Sequence, residues 1–194
     1  DCVGTAIQKR VLQASDSMKY CNAGVLLIDL KKWREKNIGQ KLVDKILQGI
    51  ENNETMFFLE QDILNIVLDG HIKLLEPQYN MLTSIYIFGY DEIIKMKKPV
   101  EYYTKNQIIR AKKKPAIIHA TTCFYVRKRM WIEKSDSPYA VLYAQYRKET
   151  EWNHMEFCKD TRGLKKKLYG GIWHIMPRKA AVCIAAFMIN CVRP

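Results

Sequence analysis

The chain has six cysteines, at positions 2, 21, 123, 158, 183 and 191, but no C-x-x-C pair and no dense cluster. Neither a disulfide framework nor a zinc site has the spacing it needs, so reduced thiols in a cytosolic setting are the default. Internal repeats and low-complexity linkers are also missing. The ten consecutive apolar residues from Ala180 to Ile189 would span only about 15 Å as a helix, half of a ~30 Å hydrocarbon core, so they cannot cross a bilayer. Disorder is excluded by the 48% of hydrophobic residues, which is enough for a real core.

What is present is one domain's worth of chain, 194 residues, or a domain with an appendage. It opens on Asp1-Cys2-Val3, which reads as the tail of a strand already under way. The expectation is therefore the C-terminal part of a longer protein, for which the lack of a signal peptide carries no information. The formal charge of +12 is localised. Residues 110–134 hold eight Lys/Arg against one acid, residues 151–194 hold eight against three, and the remainder is neutral. Charge confined to two segments argues for specific anionic partners rather than general solubility.

Apolar periodicity and turn chemistry predict helices over 5–13, 30–35, 40–49, 60–68, 91–97, 104–113 and 137–150, with Ser137-Pro138 as a cap and first-turn pair. Strands are predicted over 20–29, 72–75 and 116–119. Strands alternating with helices make the class α/β. Three segments carry candidate chemistry. Tyr20–Arg34 reads YCNAGVLLIDLKKWR, a continuous apolar run suited to a strand buried on both faces, led in by Asn22-Ala23-Gly24. An amide beside small residues lets backbone approach a ligand closely, although a core strand with a tight turn has the same pattern. Glu60-Gln61-Asp62 opens a helix on which Gln61, Asn65 and Asp69 share one face while Ile63, Ile66 and Val67 turn inward. Acids there also complement the helix dipole. Pro115-Ala116-Ile117-Ile118-His119 puts an imidazole at a strand end, and Arg127-Lys128-Arg129-Met130-Trp131 follows.

Together these segments resemble glycosyltransferase family 8, the retaining enzymes that include bacterial lipopolysaccharide glucosyl- and galactosyltransferases. The Asn22 segment is similar to N-x-G-V-x-L-x-N-L-x-x-W-R. Glu60-Gln61-Asp62-Ile63-Leu64-Asn65 is similar to D-Q-D-x-L-N, with Glu60 one methylene longer than the family's Asp. Pro115–His119 is similar to P-x-I-I-H, and Arg129-Met130-Trp131 stands where the family has K-P-W. The resemblance covers about residues 1–150 and implies the C-terminal part of a GT-A type fold, a mixed α/β sheet with the donor at the carboxyl ends of its strands.

It also implies roles. Gln61 and Glu60 are the catalytic candidates. Asn22, Ala23, Gly24 and Asp62 contact donor sugar or acceptor, and Lys128 or Arg129 the diphosphate. His119 is a ligand of Mn²⁺ (or Mg²⁺), whose remaining ligands come from a D-x-D motif that occurs nowhere in these 194 residues. The isolated chain is accordingly expected to be inactive. Its donor would be UDP-glucose or UDP-galactose, and its acceptor a glycan or lipid-linked glycan of the cell envelope.

Residues 151–194 form a basic, partly apolar tail. Lys165-Lys166-Lys167, Tyr169 and Trp173 precede Pro177-Arg178-Lys179 and the apolar run. Either the run packs on the domain as a buried helix, or it lies in an anionic membrane surface, which suits its basic and aromatic flanks. The second reading puts the protein in the cytoplasm, peripheral to the inner face of a membrane. Charge alone also fits a nucleic-acid-binding module, or a non-catalytic membrane-docking protein. The tyrosines follow no RNA-binding pattern and the cations are split between two segments, so nucleic acid is not the expected partner.

Overall fold

Short helices wound around a small parallel sheet make up this α/β chain. The computed structural model describes residue 18 and residues 20–54, 60–99 and 102–192. Helix α1 (Leu30–Glu35) is capped by Asp29, whose Oδ1 accepts from the Lys32 amide at 3.0 Å. Helix α2 (Ile38–Glu51) begins after Asn37, which takes a left-handed φ of 51° that asparagine tolerates well. After α3 (Glu60–Val67) comes a 3₁₀ turn (Pro77–Asn80), which feeds β1 (Met81–Leu82), and α4 (Thr83–Ile87) follows directly.

Helix α5 (Tyr90–Lys97) is followed by α6 (Lys105–Lys113), where Thr104 and Gln107 form a reciprocal capping box. Strand β2 (Ile118–His119) runs parallel to β1, pairing Met81 with Ile118 and Leu82 with His119. The chain continues through α7 (Ala140–Arg147), α8 (Leu164–Ile175) and α9 (Arg178–Phe187).

The core gathers Met81 and Leu82 of β1, Ile85 of α4, Phe88, Ile93 and Met96 around α5, Ile108 and Ala111 of α6, and Val182 and Ala185 of α9. Aromatic contacts extend it, since Phe88 lies 5.0 Å from Phe124 and Phe124 lies 4.8 Å from Trp173. None of the helices is long and apolar enough to cross a membrane among the described residues.

Four expectations are corrected. The run from Val25 to Ile28 is not a strand buried on both faces but an irregular segment outside the sheet, with Leu27 85% exposed. A buried strand needs hydrogen-bonded neighbours and a layer on each face, and the described residues supply neither. Residues 72–75 likewise form no strand, and the 116–119 strand is reduced to its last two residues. The helix expected over 137–150 begins only at Ala140, because the Ser137 Oγ accepts from the Tyr139 amide at 3.3 Å and holds a turn first. The helix expected over 5–13 lies outside the described residues.

Of the two readings left open for the tail's apolar run, the structure has the packed one. The run forms most of α9, which buries Ala181, Val182 and Ala185 against α5 and belongs to the domain core. Trp173 is buried as well and serves the core.

Candidate functional site

The polar face of α3 is buried rather than solvated. Gln61, Asp62 and Asn65 are at most 8% exposed, which reverses the expectation that the helix's apolar side alone faces inward. Buried polar groups must find partners, and these three find theirs in the segment that precedes α1. The Asn65 carboxamide clamps the peptide of Cys21, accepting from its N–H at 2.7 Å and donating to its carbonyl at 2.8 Å. Tyr20 donates its hydroxyl proton to Asp62 and accepts from the Gln61 Nε2 at 2.8 Å. Burial, and then the bond to Asp62, push the Tyr20 phenol far above its ordinary value, so it stays a neutral donor.

Gln61 Oε1 accepts from Asn22 Nδ2 at 2.7 Å and from the Ala23 amide at 3.0 Å. Both lone pairs of that oxygen are thereby used. Asn22 Oδ1 accepts from the Gly24 amide at 3.0 Å and from Asn80 Nδ2 at 2.8 Å. Asn80 Oδ1 in turn lies 3.0 Å from His119 Nδ1. The sheet makes that last contact possible, because Asn80 immediately precedes β1 and His119 ends β2 beside it. Gly24 leaves room for the imidazole: a Cβ there would lie 2.2 Å from His119 Cε1 and 2.5 Å from Nδ1.

The structure therefore joins Asn22, Ala23, Gly24, Gln61, Asp62 and His119 in one constellation. Glu60, at the first position of α3, is exposed at its edge. Burial, and then the charge of Arg129, hold His119 below its ordinary pKa, so its imidazole is neutral at pH 7. Arg129 reaches this end of β2 by donating from Nη1 to the Ala120 carbonyl at 2.8 Å, and its guanidinium lies over Trp131.

Lys128 points elsewhere. Its ammonium donates to the carbonyls of Glu133 and Lys134 at 3.2 and 3.0 Å and lies 3.8 Å from the Asp160 carboxylate. Of the two cations left open by the sequence, Arg129 is the one beside His119. A cleft of about 480 Å³ shares Asn22, Ala23 and Asn80 with the constellation but is not bordered by Gln61 or His119.

Sequence reasoning missed Tyr20 and Asn80. A signal for Asn80 existed, since it stands before a short apolar pair, as Asn22 stands before Val25.

The family model described as Glycosyl transferase family 8 matches residues 4–122, more than half of the chain. The chain belongs to glycosyltransferase family 8. General stress protein A of Bacillus subtilis (strain 168) is 28% identical over 142 residues, which cover 73% of this chain and 46% of the relative. Lipopolysaccharide 1,3-galactosyltransferase of Salmonella typhimurium is 28% identical over 121 residues, 62% of this chain and 34% of the relative. Lipopolysaccharide 1,2-glucosyltransferase of Escherichia coli (strain K12) is 32% identical over 82 residues, 40% of this chain and 23% of the relative. The family 8 chain thus spans less than half the length of each of these relatives. No solved structure matches it.

Proposed function

We propose that the full-length protein to which this family 8 chain belongs transfers a hexose from UDP-glucose or UDP-galactose to a cell-envelope glycan, with retention of configuration, on a GT-A type fold. The observation that carries this reading is the single hydrogen-bonded array that ties Gln61 to the Asn22–Gly24 turn and that turn, through Asn80, to His119. Asn22, Ala23 and Gly24 present backbone and amide to the sugar or acceptor. Glu60, exposed at the start of α3, is placed to take sugar hydroxyls. With its oxygen occupied by Asn22 and Ala23, Gln61 acts by holding the turn and offers a substrate only its remaining amide hydrogen.

A divalent cation fits His119, which is neutral and has no hydrogen-bond partner on Nε2 among the described residues. No group of three or more candidate ligands occurs among the described residues, so the cation's other ligands would have to come from elsewhere in the full-length protein. When bound, such a cation stabilises the negative charge that develops on the departing diphosphate. Arg129 supplies fixed positive charge to the same oxygens. In the full-length protein, UDP release from a UDP-hexose is expected only with Mn²⁺ or Mg²⁺ and none in excess EDTA, while residues 1–194 alone do nothing. Turnover in EDTA, or by residues 1–194 alone, contradicts the reading.

A specific observation also favours an anionic membrane surface as a partner, at the cytoplasmic face. Leu164, Leu168, Ile172 and Ile175 recur at helical spacing along α8 and are 54–87% exposed, with Lys165, Lys166 and Lys167 beside them. This face, rather than the packed α9, is the interfacial element. Changing Leu168 and Ile172 together to Glu is expected to release the full-length protein from anionic liposomes at least tenfold without shifting its Tm. Equal pelleting of variant and wild type in co-sedimentation removes the membrane from the proposal. Nucleic acid is not favoured, because Lys128, Arg162 and Arg178 are committed to internal carboxylates.

A further inference from the structure

We infer that Asn80 is a positioning residue, which holds His119 as the Nδ1–H tautomer and so leaves Nε2 as the lone pair available to a cation. The hydrogen-bond chemistry forces each step. A backbone amide can only donate, so the Asn22 atom that meets the Gly24 N–H at 3.0 Å is the carbonyl oxygen. The other arm of Asn22 is then the NH₂ group, and it meets Gln61 Oε1, an oxygen whose identity the Ala23 N–H fixes independently.

Asn80 approaches Asn22 Oδ1 at 2.8 Å and must therefore donate, which turns its own oxygen toward the imidazole. That oxygen can only accept. The His119 nitrogen 3.0 Å away, Nδ1, carries the hydrogen.

The result is a chain in which every bond points the same way. His119 donates to Asn80, Asn80 to Asn22, Asn22 to Gln61, Gln61 to Tyr20 and Tyr20 to the Asp62 carboxylate. A carboxylate that is acceptor-only terminates it at one end, and two backbone amides pin its middle. Asn80 itself is 8% exposed, so water does not readily compete for its amide. Metal-binding histidines are oriented in this manner by a partner on the second ring nitrogen, and the loss of such a partner typically costs about 10–100-fold in metal affinity. Here the partner is a neutral amide whose direction is set three residues' contacts away, at the Gly24 turn.

The tautomer follows from hydrogen-bond geometry alone, whereas its consequence for a cation rests on the proposed function. The experiment separates them. The full-length protein, ¹⁵N-labelled at histidine and free of metal, is examined by long-range ¹H–¹⁵N spectroscopy, with the His119 signals assigned by their loss in His119→Gln. A pyrrole-type Nδ1 and a pyridine-type Nε2 are expected near pH 7. The reverse pattern in the wild type overturns the inference, whether or not any variant folds. Asn80→Ala is expected to mix the two tautomers and to raise the Kd for Mn²⁺, titrated by electron paramagnetic resonance, at least tenfold. An unmixed Nδ1–H signature in a folded Asn80→Ala protein overturns the role of Asn80. If the tautomer mixes while Mn²⁺ binds neither variant nor wild type, Asn80 keeps its positioning role and the metal reading alone falls.

Discussion

Gly24→Ala in the full-length protein is expected to lower turnover about 100-fold or more while leaving the fold intact. The added methyl would sit 2.2 Å from His119 Cε1, 2.5 Å from His119 Nδ1 and 2.8 Å from Asn22 Oδ1, all far inside van der Waals contact. The imidazole is a side chain at the end of a two-residue strand, so it swings away rather than unfolding its surroundings. That movement breaks the bond to Asn80 and misplaces His119 by an ångström or more, an error that costs on the order of 10²-fold in a positioned reaction. Gly24 is exposed, and a Tm shift of only a few degrees is expected. Gly163→Ala is the control, since nothing lies within 4 Å of its added Cβ and turnover is expected to be unchanged. Steady-state UDP release decides between them, and a Gly24→Ala enzyme within about twofold of wild type removes His119 from the site.

How much of this was legible in the sequence differs from segment to segment. Asn22, Gln61 and His119 were found from their motifs, and the structure brings them together. The expected mixture of strands and helices also carried the α/β class, although the described residues hold only two strands of two residues each. What failed was context. Val25-Leu26-Leu27-Ile28 has the composition of a buried strand, yet burial depends on neighbours that the composition cannot contain, and the described residues provide none. The apolar face of α2, with Val43, Ile46, Leu47 and Ile50 exposed, tells the same story on the same side of the sequence. A chain that spans less than half of its relatives' length can carry strand-forming residues without the sheet they would join.

Burial of polar residues was hidden for a different reason. Periodicity marks Gln61, Asn65 and Asp69 as a polar face, and a polar face ordinarily meets water. Here the first two meet the backbone and side chains of residues 20–23 instead, a match of donors to acceptors that no spacing rule reveals. One consequence is that Gln61 cannot be truncated as a purely catalytic test. Its loss leaves Asn22, the Ala23 amide and Tyr20 each short of a partner, at about 1–3 kcal/mol for each buried group left unsatisfied. The Gly24 substitution tests the same site without that confusion.

The other large effect is expected from deleting residues 178–194, which should unfold the domain rather than merely detach it from a membrane. Helix α9 buries Ala181, Val182 and Ala185 to 4% exposure or less, against a core in which Phe88, Ile93 and Met96 are equally hidden. Removing it uncovers several large apolar side chains at once, each worth roughly 1.5–3 kcal/mol when fully buried. A domain's whole stability is only about 5–15 kcal/mol. Polar contacts are lost with it. Arg178 binds Glu92 through two bonds, Nε to Oε1 at 2.7 Å and Nη2 to Oε2 at 2.6 Å, and Asn190 donates to the Met96 carbonyl at 2.9 Å. Arg178→Ala alone should be far milder, because the pair is partly solvent-exposed and screened. The ion pair also carries a pH signature. Arg178 holds the Glu92 carboxyl below its ordinary range, so its contribution is full above the unfolded carboxylate's value near 4.3 and is lost as pH falls through the lower folded value. Thermal melts of wild type and Arg178→Ala should therefore converge in acid and separate at neutral pH, whereas the 178–194 deletion should give no cooperative melt at either. A truncated protein that melts within a few degrees of wild type would show that α9 is an appendage and that the core closes without it.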